Sequence, residues 1–242
     1  MNPRPDDLSF VEHLEELRSR LIKSIVAIVI ASCVFYLRID SILSMLIKPI
    51  GKVVFTSPAD AFMARITLTF FGGLFLALPV VLYQIWKFVA AGLKANETRY
   101  IYFFAPFSLL LFVLGGLFAY FFMIPIAVRF LLGFSSEIIV PMITIENYIS
   151  FVGMLILGFG IVFELPLVLM FLTKIGIVTP DFLARKRRHA IVLILIVSAI
   201  FTPPDAVSQM IMAVPLMILY EISIVACRLI YRRRELPEET FP

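Results

Sequence analysis

The sequence predicts an all-α polytopic membrane protein of six transmembrane helices, the last two short, arranged as a kinked concave bundle. Three observations predict it. Hydrophobic residues make up 61% of the 242 positions, and mean hydropathy is +1.02, against roughly 45–50% apolar residues in a soluble domain. Four apolar runs, at 21–35 with its flanks, 62–86, 100–128 and 148–172, are of the class that crosses a bilayer, for which about 20 residues suffice. A further run, 190–225, is interrupted once by "TPPD", which makes it a tight hairpin of two. Lastly, basic residues alternate in step with those runs. Arg4, Arg18, Arg20 and Lys23 precede or open the first span. Lys87, Lys94 and Arg99 follow the second, Lys174 and Arg185 to Arg188 follow the fourth, and Arg228 and Arg232 to Arg234 follow the sixth. That is sixteen of the 21 lysines and arginines on one side, which puts both termini in the cytoplasm by the positive-inside rule.

In chain order, the start "MNPRPDDLSF" is acidic and carries prolines, so no cleavable signal peptide is expected. Ser9 and Glu12 fit a capping box. Phe10, Leu14, Leu17 and Leu21 then form one helical stripe running into the first span. "SILSMLIKP" reads as a short interfacial helix ended by Pro49. "SPAD" reads as an N-cap at Ser57 with proline at the first helical position. "LKANETRY" is a short cytoplasmic turn with Asn96 as N-cap, 129–147 a second external loop, and "VTPDFLARKRRHA" a basic turn and helix start. Residues 190–201 are twelve in number, about 18 Å of helix, so the bilayer must thin there or polar flanks must be drawn in. Pro79, Pro106, Pro125, Pro166 and Pro215 fall in or beside spans and should kink them. One transmembrane domain, 1–232, with an amphipathic amino-terminal helix, is followed by a disordered tail, 233–242. Cys33 and Cys227 read as small buried residues with no metal-ligand spacing.

Several chemistries are excluded. There is no G-x-x-x-x-G-K-[ST], no H-E-x-x-H, and only two histidines, His13 and His189. No catalytic residue, metal or cofactor is expected, and no nucleic acid among the partners. The acids near or inside the spans remain. Glu12, Glu15 and Glu16 crowd the start of the first helix. Glu12 is accounted for by capping, and Glu15 and Glu16 by pairing with Arg18 and Arg20 at helical spacing. The other reading is a docking site for a cationic partner. Glu97 likewise suits the dipole of the helix it precedes. Glu164, in "GFGIVFELPLVLMF", and Glu221 are the only acids well inside apolar runs. An acid at mid-span costs roughly 2.5–3.5 kcal/mol on insertion scales and marks function by default. The alternative is that Glu164 caps backbone groups freed by Pro166.

"HLEELRSRL" (13–21), "AAGLKANETR" (90–99), "FELP" (163–166) and "TPPDAVSQ" (202–209) occur in this order on the six-span scaffold. Together they resemble TatC, the multi-spanning receptor subunit of the twin-arginine protein translocase, from about residue 8 to 226. Ala91 stands where that family commonly has proline. The resemblance implies a prokaryotic cytoplasmic (inner) membrane protein that binds twin-arginine signal peptides at its cytoplasmic face. It implies assembly with single-span TatA and TatB subunits into an oligomeric complex among membrane lipids, for export of folded proteins. It places the docking acids on Glu16 and Glu97, with His13 and Arg18 from the same motif beside them. A carboxylate accepts the forked donors of a guanidinium, which lysine cannot supply. Leu14, Leu17, Phe88 and Leu93 offer an apolar floor. Glu164 and Gln209 are expected to form a polar notch for partner helices, with Pro49, Pro203 and Asp205 structural on the external side. The rival function, a small proton- or ion-coupled secondary transporter using Glu164 as relay, predicts an internal repeat, and none is present.

Overall fold

In a bilayer every backbone N–H and C=O must be satisfied within the chain, so apolar runs of this length fold as helices. The computed structural model describes residues 10–48, 50, 53–93, 98–133, 142–201 and 206–235. Ten helices occur among them. They are α1 (Phe10–Tyr36), α2 (Ile39–Ile47), α3 (Pro58–Ala91), α4 (Ile101–Phe118), α5 (Ile124–Leu132), α6 (Ile145–Phe163), α7 (Leu165–Ile175), α8 (Pro180–Arg185), α9 (Arg187–Phe201) and α10 (Ala206–Glu235). A π turn, Ala119–Met123, joins α4 to α5. Among the described residues the only extended pairing is an isolated bridge between Val54 and Thr144.

Among the described residues five stretches are long and apolar enough to cross a membrane: Val11–Tyr36, Pro58–Ala91, Phe104–Leu132, Ile145–Ile175 and Gln209–Tyr231. The expected fifth span is α9, which has 15 residues and is therefore about 22 Å long, short of a hydrocarbon core of about 30 Å. The last helix differs from the expectation of a short span. It runs for 30 residues, because "RLIYRRRE" continues as helix past the apolar run, three residues into the segment read as a tail. Residues 236–242 lie outside the described ones.

The chain divides into two compact units, Met1–Leu110 with Leu131–Met154, and Leu111–Phe130 with Leu155–Pro242. In the first, α1 packs along α3. The crossing is close because α3 carries Gly72 and Gly73 where Phe35 and Ser32 of α1 approach. A Cβ at Gly73 would come to 2.6 Å from the Ser32 Cα. The start of α3 is built as expected. Ser57 is the N-cap and Pro58 the first helical residue. Asp60 Oδ2 accepts from the backbone N–H of Thr56 (2.7 Å) and Ser57 (3.0 Å) and from the Thr56 hydroxyl (2.9 Å). That satisfies donors at a helix start that would otherwise lack partners. Four further ties close this end of the unit. Val54 N donates to Ile143 O (3.0 Å), and Ile145 N to Val54 O (2.9 Å). The Tyr148 hydroxyl donates to Leu46 O at 2.9 Å, and Arg65 pairs with Asp40 at 2.8 Å. Pro49 lies outside the described residues, though α2 is the short helix expected before it.

In the second unit Phe118 packs against Phe159 and Phe163, each at 5.5 Å between ring centroids. Gly115 lets the backbone of Phe159 approach; a Cβ there would lie 2.5 Å from its carbonyl oxygen. Gly176 ends α7 at φ 87°, where an L side chain is strained, and the Thr179 hydroxyl then accepts from Phe182 N to start α8. α10 packs on α7, α8 and α9. Leu183, Ile224 and Cys227 are buried at that junction, and the Tyr220 hydroxyl donates to Leu183 O at 3.0 Å. Cys33, expected buried, is exposed on α1: a helix in lipid gains nothing from hiding a small, weakly polar side chain. Of the five prolines, Pro79, Pro106 and Pro215 sit inside helices that continue through them. Pro125 follows the π turn and Pro166 follows the break at Glu164. Satisfied neighbours let a spanning helix absorb a proline without ending.

Candidate functional site

The acid of "HLEELRSRL" is placed by helix geometry. His13, Glu16 and Arg20 follow one another at spacings of three and four, so they share a face of α1. Gln84 and Phe88, four apart, share a face of α3. The two faces meet. His13 stacks on Phe88 with ring centroids 4.5 Å apart and planes 24° from parallel. Arg20 donates from Nε to Glu16 Oε1 at 2.7 Å, and from Nη1 to Gln84 Oε1 at 3.0 Å. The pairs 13 with 88, 20 with 84 and 32 with 73 fall in number on one helix as they rise on the other. α1 and α3 therefore run antiparallel.

Exposure grades across this cluster. Gln84 is buried. The Arg20 side chain is 14% exposed and that of Glu16 31%. Beyond them Leu14 and Leu17 are exposed, as is Arg18, while Phe88 and Leu93 are half-buried. Glu16 thus stands at the outer end of a chain of polar groups rooted in the α1–α3 contact. Glutamate four residues before arginine is the favourable order for an intrahelical pair, and partial burial strengthens it relative to a solvated one. Pairing of Glu16 with Arg20 was one of the two readings open from sequence. Gln84 was not singled out. Its signal was an amide inside the apolar stretch "VVLYQIWKF". Near the same end Trp86 stacks on Phe104 at 6.3 Å. Glu97 lies outside the described residues, as do Pro203 and Asp205.

The second candidate region lies in the middle of Ile145–Ile175. Glu164 is the residue at which α6 stops and α7 starts. Glu164 N donates to Ile161 O at 3.1 Å, and Glu164 O accepts from Val168 N at 2.9 Å. Its half-buried side chain makes no capping hydrogen bond to α7. Pro166 lacks an N–H, so the group it frees is the carbonyl of Val162, an acceptor. Gln209 serves a neighbour. Its Nε2 donates to the Leu195 carbonyl at 2.9 Å, one turn before the buried Ser198, whose hydroxyl donates to Ile194 O at 2.7 Å. It joins the start of α10 to α9.

Comparison with known proteins accords with these features. The family model for "Sec-independent protein translocase protein (TatC)" matches residues 12–215. A Carboxydothermus hydrogenoformans protein named Sec-independent protein translocase protein TatC is 43% identical over 228 residues, 92% of this chain and 94% of that one. One of the same name from Aquifex aeolicus is 39% identical over 236 residues, 94% and 98%. The crystal structure of a protein described as twin arginine translocase receptor TatC superposes with a TM-score of 0.83 at 40% identity, covering 90% of this chain and 99% of that one. Matched over nine-tenths of its length by relatives and by a solved structure, this chain belongs to the TatC family of Sec-independent protein translocase proteins.

Proposed function

We propose that this chain is the receptor subunit of a twin-arginine translocation system. It binds twin-arginine signal peptides at the cytoplasmic face of a prokaryotic inner membrane and assembles with TatA- and TatB-type single-span subunits to export folded proteins. The observation that carries the reading is Glu16, a partly exposed carboxylate held in one orientation at the end of a spanning helix, beside exposed Leu14 and Leu17. A signal peptide offers guanidinium groups followed by an apolar stretch, and this edge offers the complement of both. Glu97 supplies the second acid. Glu164 and Gln209 belong to the partner-helix surface of the same subunit. An ion-coupled transporter finds no support, since relatives matched over 94% and 98% of their own length carry the translocase name.

Photo-crosslinking from positions 16 and 97 to a twin-arginine signal peptide in native membranes tests the reading. Adducts from both positions, lost when the arginines become alanines, are expected; none from either would overturn it. Orientation is tested with reporters. One fused after Pro242 should be cytoplasmic and one inserted near Ser136 external. For the 15-residue α9, local bilayer thinning is the companion proposal. Spin labels along 190–201 should show a shorter water-inaccessible stretch than labels along 62–86, and equal lengths would rule thinning out.

A further inference from the structure

The carboxylate that is to receive a ligand arginine already holds an arginine of its own chain. Both contacts from Arg20, by Nε and by Nη2, fall on Glu16 Oε1. A carboxylate has two oxygens and about four lone-pair directions, so this pairing does not exhaust it. The remaining donor edge of Arg20 is spent on Gln84 Oε1. Gln84 is buried and lies on the other helix, so swinging Arg20 away would strip a buried amide oxygen of its donor. Arg20, the more enclosed of the pair, is therefore moored, and Glu16 is the partner that faces outward.

We propose that Arg20, moored by Gln84, is a positioning residue: it clamps Oε1 of Glu16 and so presents Oε2 in a fixed direction to the incoming guanidinium. This rests on the receptor reading and adds how that site discriminates. A carboxylate free to rotate adapts to a forked guanidinium or to a compact ammonium. A carboxylate held by one edge offers a single approach, which a planar, two-donor group meets and a point charge meets less well. Holding it beforehand also removes an ordering cost from binding. Arginine over lysine is then a property of the α1–α3 contact as well as of the acid.

The test uses the full chain in lipid nanodiscs. Binding of a fluorescent twin-arginine signal peptide and of its twin-lysine counterpart is measured for wild type, Arg20→Gln, Gln84→Leu and Gln84→Glu. Thermal unfolding of each variant identifies those that fold as wild type. Arg20→Gln and Gln84→Leu should each lower affinity for the arginine peptide about tenfold, the size of one charge-assisted hydrogen bond, and narrow the arginine-to-lysine ratio. Gln84→Glu, which keeps an acceptor for Arg20, should hold that ratio within about threefold of wild type. A mere loss of packing would weaken both peptides alike and leave the ratio unmoved. An unchanged ratio in the folded variants overturns the proposal, as does tighter arginine binding by Arg20→Gln, which would make Arg20 a competitor for Glu16. A wild-type chain that binds neither peptide overturns the receptor reading itself.

Discussion

Two acid–arginine pairs of similar length sit in the two units and do different work. In the first unit Glu16 and Arg20 are one helical turn apart, 31% and 14% exposed, and Arg20 continues to Gln84 on another helix. In the second, Arg187 and Glu221 join α9 to α10 at 2.7 Å, 44% and 51% exposed. The second pair is one of several ties in its neighbourhood. Gln209 on Leu195 O, Tyr220 on Leu183 O and the Leu183–Ile224–Cys227 core bind α10 to the helices around it without help from charge. The first pair has a buried third partner that leaves it little freedom. The same two functional groups are anchored by a buried amide on another helix in the first pair, and in the second bridge two helices directly, by Nε to Oε1 at 2.7 Å and Nη2 to Oε2 at 2.8 Å.

The comparison breaks most severely at the acid itself. On the proposed receptor reading, the Glu16→Ala, Glu97→Ala double variant should lose signal-peptide binding by at least about a hundredfold, the size of two lost charge-assisted hydrogen bonds of roughly 1.5–3 kcal/mol each. Glu16→Asp should be milder. Binding to wild type should weaken as salt is raised. Wild-type affinity in the double variant, read by fluorescence anisotropy, would remove Glu16 from the site.

A smaller effect is expected from prying apart the helices that orient it. Gly73→Val puts a branched side chain against the Ser32 backbone, where even a Cβ would come to 2.6 Å. Overpacking of this kind costs about 1–3 kcal/mol. The variant should unfold at lower temperature in nanodiscs and bind signal peptide less well, although position 73 is far along α3 from Gln84. A stable variant with weakened binding would show that crossing geometry alone governs the site.

In the second unit, Gln209→Leu removes the amide that reaches Leu195 O. Interhelical hydrogen bonds in membranes average about 0.6 kcal/mol, so a small downward shift in thermal stability is expected. A shift matching that of Gly73→Val would mean Gln209 is the main tie of the α9–α10 hairpin. The smallest change is expected from Glu221→Gln. The amide keeps an acceptor for Arg187, which contacts both oxygens of Glu221 at 2.7 and 2.8 Å, so only a small downward shift in thermal stability is expected. A loss larger than that of Gln209→Leu would show that the charge of Glu221, and not only its hydrogen bonds, ties α9 to α10.

Much of this protein was written in short-range pattern. The spans follow from hydropathy, because a bilayer rewards apolar runs irrespective of what they pack against. The start of α3 follows from "SPAD", because capping is settled within four residues. The break at Glu164 follows from a proline two residues on, because a missing donor acts locally. Tertiary structure decided what depends on residues far apart. Gln84 meets Arg20 across 64 positions, and Val54 pairs with Thr144. No local pattern encodes the register of two antiparallel helices; it is set where Gly72 and Gly73 admit Phe35 and Ser32. The sequence by itself determined that an acid stands at the membrane edge of α1. Only the packing of α1 on α3 decided which way that acid is held, because its orientation rests on a buried amide that close packing alone brings within reach.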